Sequence, residues 1–371
     1  METIDQLIKQ IEAPQVPNRQ GLDAYSLAEL MEKYGVPGVG IAVIYDFKIH
    51  WTKSYGVADV ETGAKVNEKT LFQAASISKP VAAMAVLKAV QDGLFSLDDD
   101  INTILKSWQL PKGDAQNGQP VTPRMLTSHT AGLGDGFGFP GYHPDEPIPS
   151  IPQILDGDEL SNVGEVRLVR SPLLAFQYSG GGVMIMQQAL MDAVGKPFEE
   201  IVQTAVFDPI GMTNSTFTQP LPPKWDQNAT RAHDGNGKAM DAKWHVYPEQ
   251  AAAGLWTTPT DLAKFGIEVQ KSLRGEDNHV LTQSTVHEML SPVGVGDFGI
   301  GFALRKEGQG WYFFHSGGNW GFKCLLWAHK AKGYGFAVMT NGSQGDVIMR
   351  ELDARIARAY HYDSLDKPVV G

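Results

Sequence analysis

Residues 310–341 read GWYFFHSGGNWGFKCLLWAHKAKGYGFAVMTN. The apolar and aromatic runs here, "GWYFFHSGG", "FKCLLWAHKA" and "YGFAVMTN", are cut by Gly, Lys and Asn. Short runs separated by such residues predict consecutive antiparallel strands. "FGIGFALRKEG" (298–308) predicts another just before them. At the other end of the chain, "GVGIAVIYD" and "KIHWTKSYGVAD" predict two strands with a turn around Tyr45–Lys48. Residues 3–12 and 23–34 have the spacing of amphipathic helices, and a final helix over about 345–360 puts Met349, Leu352, Ile356 and Ala359 on one face. Between roughly 95 and 290 helix signals alternate with Pro and Gly loops. In "WTTPTDLAKFGIEVQKSL", Thr258 is placed to cap, Pro259 falls at the first helical position and Asp261 in the first turn. Strands at both ends therefore bracket a helical middle. The expected fold is α+β, one antiparallel sheet flanked by the terminal helices plus a large mainly helical domain. Residues 1–75 and 291–371 would form the discontinuous sheet domain and 76–290 the helical one. The active site would lie between them, a common place for a pocket.

The 371 residues are 42% hydrophobic and 20% charged, enough apolar material for a sizeable core. A formal net charge of −11 argues against nucleic acid, which needs clustered Lys and Arg to neutralise phosphates. No stretch approaches 18 consecutive apolar residues, so no membrane span is expected. "METIDQLIKQIEAPQ" lacks the basic end and continuous apolar core of a signal peptide, and the expected location is cytoplasmic. Cys324 is the only cysteine; it excludes an internal disulfide and fits a buried small hydrophobe.

Within "QAASISKPVAAM" (73–84), Ser76 and Lys79 are three residues apart, a spacing that shares one helix face. Proline belongs in a first helical turn, so Pro80 places the helix start at or just before Ser76–Ser78. Ser76 then sits at a positive helix end, where free N–H groups can stabilise an oxyanion. Lys79 beside it can accept or relay a proton. Ser78 is only one residue from Lys79 and points elsewhere. Two further stretches stand out. "FQYSGGGV" holds Tyr178, a possible general base, and "FFHSGGNWGF" holds His315, Ser316, Gly317, Gly318 and Asn319 at the end of an apolar strand. Its glycines allow a backbone to approach a ligand closely.

Taken in this order, the three motifs resemble the serine β-lactamase and penicillin-binding protein superfamily. The branch most like it holds class C β-lactamases, D-alanyl-D-alanine carboxypeptidases and family VIII esterases. Ser76 and Lys79 match S-x-x-K, and His315-Ser316-Gly317 matches K-T-G or H-x-G. Tyr178 matches Y-x-N in its first position only, because Gly180 stands where asparagine is usual. "LTSHTAGL", "DPIGMTNSTF" and "AAGLWTTPTDLAKF" also look like the family, and the resemblance covers roughly residues 35–345. It implies that Ser76 is the nucleophile and that Lys79 and Tyr178 share the proton transfers. The N–H groups of Ser76 and Gly318 would form the oxyanion hole, and His315 would line the pocket and bond the substrate or Tyr178. Gly317, Gly180 and Asn319 complete the expected substrate-binding set.

Other signals are weaker. "GFGFPG" (136–141) matches G-x-G-x-x-G but has neither the strand nor the helix of a dinucleotide fold. It reads as a loop near the pocket mouth offering Phe137, Phe139 or Tyr142. No G-x-S-x-G is present. His233, Asp234 and His245 read as surface residues rather than metal ligands, and His129 as a structural hydrogen-bonder. The expectation is a serine hydrolase with no metal or organic cofactor, forming an acyl-enzyme on a small-molecule ester, amide or peptide. Esters come first, because an alkoxide leaving group needs less proton delivery than an amine, and Gly180 also removes the carboxamide that would meet an acylamido side chain. D-Ala-D-Ala carboxypeptidase or D-peptidase, β-lactamase and acyltransferase activities are the alternatives within this chemistry. A non-catalytic penicillin-binding module is the alternative outside it; the intact Ser, Lys and Tyr set argues against that. Oligomeric state is not legible.

Overall fold

The computed structural model describes residues 2–15, 21–135 and 138–367. Six strands form one antiparallel sheet: β1 (Gly38–Tyr45), β2 (Lys48–Gly56), β5 (Ala303–Glu307), β6 (Gly310–Asn319), β7 (Phe322–His329) and β8 (Gly335–Thr340). Their order is β2-β1-β8-β7-β6-β5, so Val39 of the first strand pairs with Thr340 of the last. A separate two-stranded ribbon joins β3 (Phe72–Gln73) to β4 (Trp256–Thr257). Both ends of the chain thus build the sheet, as the terminal strand signals predict.

Strand alternation assigns the two faces. On β1, Val39, Ile41 and Val43 pack with Leu27, Leu30, Ile348, Leu352 and Ile356. These come from α2 (Leu27–Lys33) and the last helix, α7 (Gly345–Ala359). Gly40, Ala42 and Ile44 face the opposite way, towards α6 (Pro259–Leu273). A Cβ on Gly40 would stand 2.8 Å from Pro259 Cγ, so glycine is what lets α6 start against the sheet. This helix, counted above with the insertion, packs on β1, β2, β7 and β8. Its start is as predicted, since Thr258 Oγ1 accepts from Asp261 N–H with Pro259 in the first turn. Buried Arg355 of α7 donates to Ile11 O and Ala13 O at the end of α1 (Ile4–Glu12) and to Tyr25 O, tying the terminal layer together.

Two helix expectations are corrected. The 23–34 pattern is broken, because Ser26 begins a new helix by forming a capping box with Glu29. A 3₁₀ turn, Leu22–Ala24, precedes it. The helix after Ser76 also starts later than the serine. α3 runs Ser78–Gln91, and Ser76 lies in a 3₁₀ turn, Ala75–Ile77, before it. Gly93, at φ +80°, follows the end of α3 as expected of a stop. Among the described residues no helix is long and apolar enough to cross a membrane.

Candidate active site

Ser76 is the only residue between Leu71 and Leu87 that is not buried. A 3₁₀ turn has three residues per turn, so i and i+3 side chains eclipse and the predicted pairing survives the altered helix start. Lys79 Nζ lies 3.0 Å from Ser76 Oγ and 2.7 Å from Ala252 O. That carbonyl belongs to α5 (Gln250–Ala253), a single turn that also accepts Asn319 Nδ2 at Ala253 O. Ser78 is buried; its hydroxyl donates to Ala75 O at 2.6 Å and accepts from Leu255 N–H at 3.0 Å. Both of its hydrogen-bonding directions are internal. Ala75 holds φ +47°, a left-handed conformation that costs a non-glycine residue energy and recurs at functional sites.

β6 comes against this turn from the other side. β5 begins opposite Phe314, so His315–Asn319 have a ladder partner only in β7. Alternation buries His315 and Gly317 and exposes Ser316 and Gly318. Gly317 is the glycine that packing requires. A Cβ there would meet Ala74 O at 2.4 Å and Cys324 Sγ at 2.6 Å. At Gly318 the nearest atom is the flexible end of Lys323. Cys324 is buried as expected, its thiol donating to Ala74 O, and burial pushes that thiol far up. Asn319 Nδ2 also donates to Gln73 Oε1, so its amide nitrogen braces β6 against β3 and α5 rather than facing a ligand.

Tyr178 precedes α4 (Gly180–Val194). Lys79 Nζ sits 5.0 Å above its ring centroid, and the Tyr178 and His315 rings are 6.2 Å apart. His129 packs against Tyr178 at 4.3 Å between centroids. It acts as the structural bonder predicted, with Nδ1 accepting from Ser179 N–H at 3.1 Å, and it holds φ +61°. Its other nitrogen therefore carries the proton. His315 has the opposite tautomer, because Nδ1 bonds Ser316 O, which can only accept. Its bare Nε2 is buried with no hydrogen-bond partner among the described residues. Burial, with Lys79 nearby, lowers His315 to about 3 and His129 well below the usual imidazole range. Both are neutral at pH 7.

Sequence reasoning missed Asp135. Its carboxylate accepts from Ser179 Oγ–H at 2.5 Å and Gly181 N–H at 2.8 Å, fixing the start of α4 and with it Tyr178. It also missed Ala252, whose contribution is a main-chain carbonyl that no side-chain motif reveals. Gly180 is in ordinary helical conformation, outside the left-handed set. What a side chain there would meet is Phe139, with Cε2 2.5 Å from an added Cβ. Of the three loop aromatics, Phe139 thus reaches the Tyr178 helix. Tyr142 is buried and paired in main chain with Val246, and Phe137 lies outside the described residues. One more correction concerns His233. It is fully buried, with Nδ1 on Asn341 O at 2.8 Å, because it packs between two main-chain segments. His245 stacks on Trp320 at 3.9 Å. Asp234 accepts from Asn236 and Lys238 N–H groups in a turn. Among the described residues no three His, Cys, Asp or Glu side chains gather as metal ligands.

A family model described as Beta-lactamase matches residues 26–361. The chain belongs to the Beta-lactamase family. Protein flp of Staphylococcus aureus (strain MRSA252) is 21% identical over 351 residues, 90% of this chain and 66% of that protein. This family member therefore spans slightly less than two thirds of that relative's length. A Beta-lactamase of Yersinia enterocolitica is 27% identical over 241 residues, 65% of this chain and 56% of that protein. The fold resembles the octameric penicillin-binding protein homologue from Pyrococcus abyssi (TM-score 0.74, 22% identity, 91% of this chain and 76% of that one). It also resembles SurE (TM-score 0.71, 23% identity, 93% and 76%).

Glu249, directly before α5, is buried, and neither carboxylate oxygen has a partner outside its own residue. Burial raises it from 4.5 to about 8. Below pH 4.5 both folded and unfolded chains hold this proton, and it costs nothing. From there to about 8 folding must take up a proton, so stability falls as pH rises, by about 1.4 kcal/mol per unit at most, and levels off above 8. Glu249→Gln has no such proton. Its melting temperature relative to wild type should climb between pH 5 and 8 and then stay level. A difference that does not change with pH would show that Glu249 ionises freely in the folded protein.

Proposed function

We propose that this family member is a serine hydrolase that transfers an acyl group from an ester to water through Ser76. The observation that carries the reading is the buried Lys79 amine 3.0 Å from the one accessible hydroxyl in its segment. Ser76 Oγ attacks the carbonyl carbon as its proton passes to the Lys79–Tyr178 pair. The N–H groups of Ser76 and Gly318 receive the oxyanion, and His315 Nε2 accepts a hydrogen bond from Tyr178 or the substrate. The tetrahedral intermediate collapses and the leaving alkoxide takes the proton; water, deprotonated by the same pair, then attacks the acyl carbon, the bond to Ser76 Oγ breaks, and the proton returns to that oxygen as the acid leaves. Esters are favoured over amides because an alkoxide needs less proton delivery than an amine. The test is a panel of nitrophenyl esters, D-alanyl amides, a D-Ala-D-Ala peptide and a chromogenic cephalosporin, with Ser76→Ala as blank. Higher kcat/KM on the cephalosporin or the D-peptide than on every ester would overturn the ester reading.

Phe139 and Gly180 supply a second reason to rank esters first. The ring occupies the space a side chain at 180 would need. A carboxamide hydrogen bond to an acylamido group, worth about 0.5–1.5 kcal/mol, is thereby absent. Gly180→Asn alone should overpack and lower stability by about 1–3 kcal/mol. Adding Phe139→Ala should restore the melting temperature and raise the cephalosporin-to-ester ratio by about 2- to 10-fold. Melting temperatures that simply add across the two substitutions would disprove the coupling.

A further inference from the structure

Twelve large apolar side chains are exposed among the described residues, and five of them are Val169, Leu173, Leu174, Phe176 and Val295. Leu174 is 67% exposed and Val295 57%. The two segments meet, since a Cβ on Gly294 would touch Leu173 Cδ2 at 3.4 Å and one on Gly296 would touch Phe176 Cβ at 3.7 Å. Exposed apolar groups scattered singly need no explanation, but a cluster marks a binding surface. This cluster continues into the reactive centre. The Phe176 ring lies 5.4 Å from Phe298 and edge-on to His129 at 5.9 Å. Phe298 in turn stands edge-on to both His129 (4.9 Å) and His315 (6.1 Å). A continuous series of aromatic ring contacts therefore links the two neutral imidazoles beside Tyr178 to the apolar side chains at the surface. Neither imidazole carries a charge that would repel a hydrocarbon.

We infer that this strip binds the hydrocarbon tail of the substrate, so that the site takes esters with medium-length acyl chains. The inference rests on the serine hydrolase reading. The strip touches the His129 and His315 rings at its inner end and water at its outer end. A chain long enough to pass Phe176 gains contact with Leu173, Leu174 and Val295 in turn. Short acyl groups end before them.

The experiment has two arms. Hydrolysis of nitrophenyl acetate, butyrate, octanoate and decanoate, each below its micelle concentration, is compared in wild type and in Leu174→Ser/Val295→Ser. Both positions are exposed, so folding should be little affected. Wild-type kcat/KM should rise at least about 10-fold from acetate to octanoate, and the double variant should lose most of that rise while keeping acetate turnover within about 2-fold. The second arm titrates nitrophenyl octanoate and nitrophenyl acetate into Ser76→Ala protein by calorimetry, with and without the two serines. Octanoate should bind about 10-fold more tightly than acetate, and the serines should remove that preference. A flat chain-length profile with intact acetate turnover overturns the inference and leaves the hydrolase reading standing. Chain-length-dependent binding with no turnover of any ester sinks the hydrolase reading and keeps the strip. A double variant that only shifts a dimer to monomer, with chain-length preference unchanged, makes the strip a contact between copies of this chain and overturns the proposal.

Discussion

Ser76→Ala is expected to fold like the wild type and to lose ester turnover by at least about 10³-fold, the scale of removing an attacking oxygen from a catalytic set. The folding half of this expectation follows from exposure and bonding. Ser76 is the least buried point of its segment, and its Oγ bonds Lys79 Nζ, which keeps Ala252 O as a partner. Ser78→Ala should behave in the opposite way. It removes a buried hydroxyl that accepts from Leu255 N–H and donates to Ala75 O, so it should cost about 1–3 kcal/mol of stability while turnover falls modestly. The pair of variants separates nucleophile from brace. A fluorophosphonate should add its mass to the peptide containing Ser76 at that residue. An adduct on Ser78, or continued turnover by Ser76→Ala, would refute the assignment.

Lys79→Met should lower kcat by about 10²- to 10⁴-fold with KM little changed, as expected for loss of a group acting in proton transfer. Methionine suits the site physically. Lys79 lines a small, mostly apolar cavity together with Ala82, Ala83, Val183, Met186 and Ala251, surroundings that suit a thioether of similar length. The Ala252 carbonyl does lose its donor, which should cost about 1–3 kcal/mol. A melting curve therefore accompanies the kinetics. Slower fluorophosphonate labelling of Ser76 in the variant would tie the loss to nucleophile activation. Turnover within 10-fold of wild type in a folded variant would remove Lys79 from the chemistry.

The sheet was legible because its strands carry their own signals, short apolar and aromatic runs separated by Gly, Lys and Asn. The pairing of β1 with β8 was harder to see, since it joins residues about 300 positions apart and only the economy of one sheet suggested it. Local chemistry also marked the Thr258 cap and the Gly93 stop. At the site, Ser76 and Lys79 were legible because three residues separate them, and a 3₁₀ turn and an α-helix both bring such a pair together. That robustness is why the pairing survived a helix that starts at Ser78 instead of at the serine. His315 stood out beside two glycines at the end of an apolar strand, whereas Tyr178 came from resemblance, since spacing alone does not single out one of eleven tyrosines.

Contacts made across the fold decided the rest. Asp135 belongs to the site because the chain returns 44 residues later and offers it Ser179 Oγ and Gly181 N–H. Ala252 enters through a carbonyl, a group every residue carries, so no residue type could announce it. Gly180 looked like a lost asparagine in the sequence; in the fold it is the space that Phe139 fills. His233 read as a surface residue and is buried, and Glu249, which no motif singled out, is buried as well. Sequence thus determined what neighbouring residues do to one another through spacing, propensity and caps. Tertiary structure alone decided which polar groups leave water and which distant atoms they meet, because burial and long-range contact belong to the packed chain rather than to any segment of it.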